Sequence, residues 1–267
     1  MSECCFLFLG DVVGQPGRII LKKQLSNLVE RYQADFVFVN GENAAGGFGI
    51  NASIAQEIKN LGIAGITLGN HTWDQRGFWN EIDNLDYICR PINFPSECPG
   101  KTYLIFEHNG RKMALFCVMG RGFMHGALDC PFKACQQLIE TLKAEGVSNF
   151  IVDIHAEATA DKYALGWFLS RLGVGCVVGT HTHIPTADER LLNDKTAFIC
   201  DLGMCGSYNS VLGFSVDTVL EKAIKGKPGR FEVTTNGPKV LNGVCVKLNL
   251  ATRCAVSIER FKLLDDL

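Results

Sequence analysis

Gly65-Ile66-Thr67-Leu68-Gly69-Asn70-His71-Thr72-Trp73-Asp74 is a short apolar run that breaks into Gly-Asn-His. The run has the character of a buried strand, and the polar triplet falls where that strand ends. In open parallel α/β sheets, ligands bind outside the carboxyl ends of strands, on loops held by a rigid sheet. Alone, Gly-Asn-His is as much a turn signal as a site. What decides the matter is how many other strands in the chain stop at a metal-ligand residue.

Upstream, residues 4–9 form a continuous apolar run that ends at Gly10-Asp11. Pro16 and Gly17 open a segment whose apolar positions Leu21, Leu25, Leu28, Val29 and Tyr32 follow the helical period. Phe36-Val37-Phe38-Val39 is a second buried strand, stopping at Asn40-Gly41-Glu42-Asn43. The loop after it, Gly46-Gly47-Phe48-Gly49, fits neither dinucleotide nor Walker spacing and reads as a flexible active-site rim. Asn51-Ala52-Ser53 matches a glycosylation acceptor but reads as the cap of a helix running to Leu61. Residues 63–68 are the third strand. Three successive β-α repeats predict a mostly parallel sheet with one shared edge.

Downstream, residues 77–83 suggest a short helix, and Arg90-Pro91-Ile92-Asn93-Phe94-Pro95 an irregular loop; the loops around Gly46, Asn93 and Phe123 are expected to shape the pocket. Residues 102–107 and 112–118 flank His108-Asn109-Gly110-Arg111, and Asn-Gly between apolar strands is a strong hairpin signal, so the sheets are mixed. Residues 131–145 and 160–172 are helical in period. Residues 149–154 form a strand ending at His155, and 175–179 a strand leading into Thr180-His181-Thr182-His183. Residues 186–192 and 196–201 suggest a further pair, then a glycine-rich loop through Gly213, and 243–250 and 254–261 alternate like antiparallel strands. One α/β domain over residues 1–267, with two packed sheets and helices outside, accommodates this order.

A net charge of -2 gives no global case for duplex nucleic acid or an anionic membrane. No apolar stretch approaches the roughly 18 residues needed to span a bilayer, and no signal peptide opens the chain, so a cytoplasmic protein is expected. The twelve cysteines are scattered with no C-x-x-C pair. Cys117, Cys176, Cys200 and Cys245 lie inside apolar strands, and the set reads as buried thiols in a reducing compartment rather than as disulfides or metal ligands. His108 and His125 sit beside turn or loop residues and are assigned no chemistry.

The strand ends supply Asp11, Glu42, Asn43, Asn70, His71, His155, His181 and His183. Taken singly, each is an ordinary turn, cap or polar residue. Together they are too many for one tetrahedral zinc but suit two metals sharing a carboxylate. Glu42, with two oxygens on a flexible stem, is the expected bridge. The i, i+2 spacing of His181 and His183 would place both on the same side of an extended segment, one for each metal. Two divalent ions bring +4, the two carboxylates and a bridging hydroxide -3, and the remaining ligands are neutral. A centre near +1 favours the extra negative charge of a phosphodiester's transition state. His71 then has a separate task as the acid that protonates the departing alkoxide.

The chain resembles the calcineurin-like metallophosphoesterases through Gly10-Asp11, Gly69-Asn70-His71 and Gly179-Thr180-His181-Thr182-His183. It departs from their general pattern in having Thr180 inserted in the last motif, Asp11-Val12-Val13 in place of Asp-x-His, and Gly41-Glu42-Asn43 in place of Gly-Asp. The latter two departures, with Arg90-Pro91-Ile92-Asn93 and Gly120-Arg121-Gly122-Phe123-Met124, are similar to the YmdB-like phosphodiesterase branch along nearly the whole chain. The resemblance implies a four-layer α/β/β/α sandwich with mixed sheets and hydrolysis of 2′,3′- and 3′,5′-cyclic nucleotides or other small phosphodiesters. It implies Asp11, Asn43 and His183 on one metal, Asn70, His155 and His181 on the other, Glu42 bridging and His71 as general acid. It further implies iron or manganese, with zinc also compatible with the ligand types, and a homo-oligomer. A regulatory protein that uses the metal site chiefly to bind a nucleotide or partner is the alternative. A metal-dependent amidohydrolase would require an eight-fold β-α barrel, which the hairpins oppose.

Overall fold

In the computed structural model, which describes residues 3–226 and 228–265, the chain forms two sheets packed face to face. In chain order the elements are β1 (Glu3–Val12), α1 (Gly14–Tyr32), β2 (Phe36–Asn40), α2 (Ala52–Asn60), β3 (Gly65–Thr67), α3 (Phe78–Glu81) with a 3-10 turn (Ile82–Asn84), and β4 (Ile88–Cys89). There follow β5 (Tyr103–His108), β6 (Arg111–Met119), α4 (Pro131–Ala144), β7 (Asn149–His155), α5 (Thr159–Arg171), β8 (Cys176–Thr180), β9 (Arg190–Leu192) and β10 (Thr196–Ile199). The chain closes with β11 (Met204–Ser207), α6 (Val216–Lys225), β12 (Lys239–Asn249) and β13 (Cys254–Asp265). One sheet has the order β13-β12-β11-β1-β2-β3-β4 and the other β5-β6-β7-β8-β10-β9.

The strands read as unbroken apolar runs because both of their faces are covered. Along β1, Cys4, Phe6 and Phe8 point into the layer between the sheets, where they meet Phe38, Leu115, Ile151 and Val178. Leu7 and Leu9 point the other way and pack against α1 and α2 through Leu21, Leu25 and Ile58. On the second sheet, Phe150, Val152 and Ile154 of β7 pack beneath α4 and α5, while Ile151 faces inward. The result is the four-layer α/β/β/α order. Burying a Phe or Leu side chain contributes about 1.5–3 kcal/mol, so this central layer carries much of the fold's stability.

Local signals place the elements. Asn51 Oδ1 accepts the Ile54 N–H at 2.9 Å, capping α2. Asn109 and Gly110 close the β5-β6 hairpin with φ of 50° and 71°, the positive pair a two-residue turn needs. The strands β1, β2, β3 and β4 run parallel, as do β6, β7, β8 and β10. Among the described residues, no helix is long and apolar enough to cross a membrane.

Candidate metal centre

The carboxyl ends of β1, β2, β3, β7 and β8 converge on one rim of the sandwich. Asp11 sits near the end of β1 and His155 is the last residue of β7, while Glu42 and Asn43 follow β2, Asn70 and His71 follow β3, and His181 and His183 follow β8. The structure gathers the seven candidate ligands into two clusters. In one, the Asn43 amide nitrogen lies 3.4 Å from Asp11 Oδ1 and 3.1 Å from His183 Nε2. In the other, His155 Nε2 lies 2.8 Å from Asn70 Oδ1 and 3.0 Å from His181 Nδ1. Glu42 stands between them, its Oε1 2.9 Å from His155 Nε2 and 3.3 Å from the Asn43 amide. Asp11, Glu42 and His155 are fully buried. Gly69 permits this approach, since a Cβ there would collide with the His155 ring and the Glu42 carboxylate.

The hydrogen bonds behind the histidines set which ring nitrogen faces inward. Thr180 Oγ1 donates to Asp153 Oδ1 at 2.8 Å and accepts from His155 Nδ1 at 2.9 Å, which leaves the His155 Nε2 lone pair aimed at the cluster. His183 Nδ1 donates to the Leu212 carbonyl at 3.0 Å, turning its Nε2 lone pair toward Asp11 and Asn43. His181 Nε2 pairs with Glu157 at 3.0 Å, which leaves Nδ1 for the cluster. With those tautomers, His155 Nε2, Glu42 Oε1, Asn70 Oδ1 and His181 Nδ1 are all lone-pair atoms crowded around one point. Only a cation relieves that crowding, and the N/O donor set suits a divalent metal.

The titration behaviour agrees with this geometry. Burial alone would lower His155, but the carboxylates of Glu42, Asp11 and Asp153 outweigh it and raise the ring to about 9, the same pull they would exert on a bound cation. Burial, reinforced by the neighbouring His155 cation, pushes His181 down to about 3 and keeps it a neutral ligand. Burial raises Asp11 to about 6. Burial acts in the same sense on Glu42, but the charge of His155 prevails and holds its carboxyl down at about 2.

His71 occupies a different position. Its backbone N–H donates to Glu42 Oε2 at 2.9 Å, while its ring Nδ1 meets Asp74 Oδ2 at 2.6 Å. Asp74 thereby holds a proton on Nδ1 and leaves Nε2 for a substrate. The ring lies edge-on to Phe48 at 5.0 Å, and Phe48 stacks on Phe214 at 5.3 Å. These aromatics, with Glu157, Thr182 and Leu212, wall a cavity of about 240 Å³ over the two clusters. Two larger clefts, of about 630 and 660 Å³, contain none of the candidate ligands, so donor chemistry rather than size locates the site.

Several expectations from the sequence change. His181 and His183 are not on an extended segment: their φ values are 102° and 65°, and they reach the two clusters through a tight turn after β8. That strained turn is locked from behind, where buried Lys162 donates to Asp201 Oδ2 at 2.6 Å and the Asp201 carboxylate accepts the Thr182 N–H at 3.1 Å and the Gly203 N–H at 2.8 Å. The loop around Gly47 is a rim but a pinned one, tied by Arg18 to the Ala44 carbonyl and by Gln75 to those of Ala45 and Phe48. Asn93 does not shape the pocket; it is buried and bridges Met119 and the Asp129 carbonyl. Phe123 does not line the cavity either and is 86% exposed.

Reading the strand ends assigns no role to Asp153, Glu157, Asp74, Lys162 or Asp201. Asp153 is the most consequential. It accepts from Thr67 at 2.6 Å and from Asn40 at 3.2 Å, both on the opposite sheet, and so ties the two sheets together directly behind His155. Its signal was present in the chain, as a carboxylate in an otherwise apolar strand two residues before His155 and therefore on the same face.

Comparison with known proteins adds an independent line. The family profile described as YmdB-like protein matches residues 7–261. A Bacillus subtilis (strain 168) protein named 2′,3′-cyclic-nucleotide 2′-phosphodiesterase is 40% identical over 260 residues, covering 97% of this chain and 97% of that relative. A crystal structure of a novel phosphatase from Mycoplasma pneumoniae superposes with a TM-score of 0.92 at 33% identity, covering 100% of this chain and 95% of that one. A hypothetical protein from Thermus thermophilus superposes with a TM-score of 0.89 at 34% identity, covering 98% of this chain and 99% of that one. The four-layer sandwich is thus the calcineurin-like metallophosphoesterase architecture, and the chain belongs to the YmdB-like protein family.

Proposed function

We propose that the protein is a dinuclear metal-dependent phosphodiesterase acting on cyclic nucleotides, 2′,3′-cyclic nucleotides foremost, with 3′,5′-cyclic nucleotides and other small phosphodiesters as further substrates. The observation that carries this reading is Glu42: one carboxylate oxygen reaches both clusters, and the other accepts the backbone N–H of His71. Asp11, Asn43 and His183 would hold one ion, Asn70, His155 and His181 the other, and Glu42 both. For Asn43 this requires a half-turn of the amide so that oxygen rather than nitrogen faces the ion. Two divalent cations bound there would neutralise phosphate charge and make a water nucleophilic near neutral pH.

The chain's own residues do the rest. His71 presents Nε2 to the cavity and donates the proton that the departing ribose oxygen requires, while Asp74 stabilises the charged ring and fixes its orientation. Phe48 and Phe214 form an apolar wall that excludes water beside that proton. At about 240 Å³ the cavity lies below the roughly 300–1,000 Å³ of sites that enclose a drug-sized ligand, which suits a sugar-phosphate with its base at the mouth. The 40% identical relative, named for the 2′ ester of a 2′,3′-cyclic nucleotide, supports the substrate class. Iron or manganese as the resident metals and assembly into a homo-oligomer belong to the same proposal.

Steady-state hydrolysis of 2′,3′-cyclic AMP and 3′,5′-cyclic AMP with added manganese tests it. Saturable turnover dependent on His71 is expected. Tight nucleotide binding with negligible hydrolysis would instead favour a sensor that uses the site for binding alone.

A further inference from the structure

At the end of the sandwich away from the rim, Cys4 near the start of β1, Asp35 just before β2 and His108 at the end of β5 meet. Their potential ligand atoms, a thiol sulfur, a carboxylate oxygen and a ring nitrogen, all lie within 4.8 Å of one another. Cys4 and Asp11 are seven positions apart on one strand, roughly 23 Å at about 3.3 Å per residue, so this cluster is distinct from the rim. We propose that Cys4, Asp35 and His108 bind a zinc ion that cross-links the two sheets.

The Cys4 thiol is hydrogen-bonded to Asp35, but Asp35 and His108 are not hydrogen-bonded to each other, and an ion would join all three. Asp35 Oδ2 is anchored by the Cys5 N–H at 2.8 Å, which leaves Oδ1 turned toward His108 Nδ1 at 3.9 Å. That separation is too long for a hydrogen bond. It is close to the about 3.3–3.6 Å that separates neighbouring ligands of a tetrahedral zinc with bonds of about 2.0–2.3 Å. The His108 ring is held edge-on to Phe36 at 6.1 Å, so its orientation is set by packing. Cys4 is fully buried, and burial together with Asp35 pushes its thiol up to about 12. A zinc ion reverses that cost, because the metal takes the sulfur as thiolate. Asp35 and His108 are open to solvent on the outer side, where water can complete the coordination.

One thiolate, one imidazole and one carboxylate form a mixed set suited to zinc, whereas the candidate ligands at the rim include no thiolate. Cys4 lies on β1 and Asp35 in the turn that enters β2, both in one sheet's half of the sandwich, while His108 ends β5 of the other sheet, so the ion would close the sandwich at its lower end. This revises the expectation from sequence, which gave His108 no chemistry and read Cys4 as a buried thiol. Spacings of 31 and 73 residues carry no local metal signature.

The test is titration of the full-length protein, loaded with manganese at the rim, with cobalt(II). A saturable thiolate-to-cobalt charge-transfer band is expected, to which cobalt that displaces manganese at the thiolate-free rim adds nothing, and it should persist in Cys5→Ser and in Glu42→Gln. Cys4→Ser should abolish the band, and His108→Ala should weaken cobalt binding at least about tenfold, since even outer-sphere changes cost 10–100-fold. No band in the unmodified protein overturns the site, as does a band whose strength and affinity are unchanged in His108→Ala. The partly exposed His108 variant decides the outcome even if Cys4→Ser fails to fold.

Discussion

Replacing Lys162 with methionine removes the ammonium that faces Asp201 at 2.6 Å, at a place where the two side chains are 0% and 1% exposed. Asp201 would keep the Thr182 and Gly203 amides, but its charge would remain buried without a counter-ion. Breaking a buried pair on one side costs about 3–5 kcal/mol, because the orphaned charge bears its desolvation in full. For a domain near this size, each kcal/mol lowers the melting temperature by about 2–4 °C, so a fall of roughly 6–20 °C is expected. Urea denaturation followed by circular dichroism gives the free energy directly. Lys162→Met/Asp201→Asn should be less destabilised than the sum of its single variants, with a coupling of about 0.5–3 kcal/mol. Because Thr182 lies between His181 and His183, metal affinity at the rim should fall in Lys162→Met as well. A loss below about 1 kcal/mol, or simple additivity in the double variant, would refute the argument that this ion pair locks the turn.

Other consequences follow from the same geometry. His71→Ala should leave metal content intact and lower kcat by about 10²–10⁴-fold, the contribution of a placed general acid; equal loss of metal would show that His71 is a ligand. Glu157→Gln should weaken binding of the ion at His181 by about 10–100-fold while leaving the Asp11 cluster loaded, as measured by competition with a chelator. Metal must displace the proton that His155 holds below about 9, so affinity should fall about 100-fold from pH 8 to pH 6. Asp11, raised to about 6, should steepen the fall below that pH, and a dissociation constant independent of pH would exclude proton competition.

Much of the architecture was legible because it rests on local signals. Continuous apolar runs marked β1, β2, β7 and β8, and the Asn109-Gly110 turn and Asn51 cap announced a hairpin and a helix. The residues at the strand ends were visible for the same reason: polar side chains after buried runs stand out without any knowledge of the fold. The supporting groups were not. Asp153 with Thr67 and Asn40, and Lys162 with Asp201, are pairs made by sheet-on-sheet and helix-on-sheet packing, and such pairs have no period along the chain. The left-handed backbone at His181 and His183 was also hidden, because non-glycine residues give no local warning of positive φ. α6 is a different case: Val216, Val219, Leu220, Ala223 and Ile224 recur at the helical period and were legible in the chain, although none of its residues is buried.

Anomalous diffraction from crystals of the protein loaded with manganese tests the dinuclear centre most directly. Two peaks flanking Glu42 are expected, one against Asp11, Asn43 and His183 and the other against Asn70, His155 and His181. A single peak at the rim, or manganese held by residues outside these two clusters with the rim left clear, would contradict it.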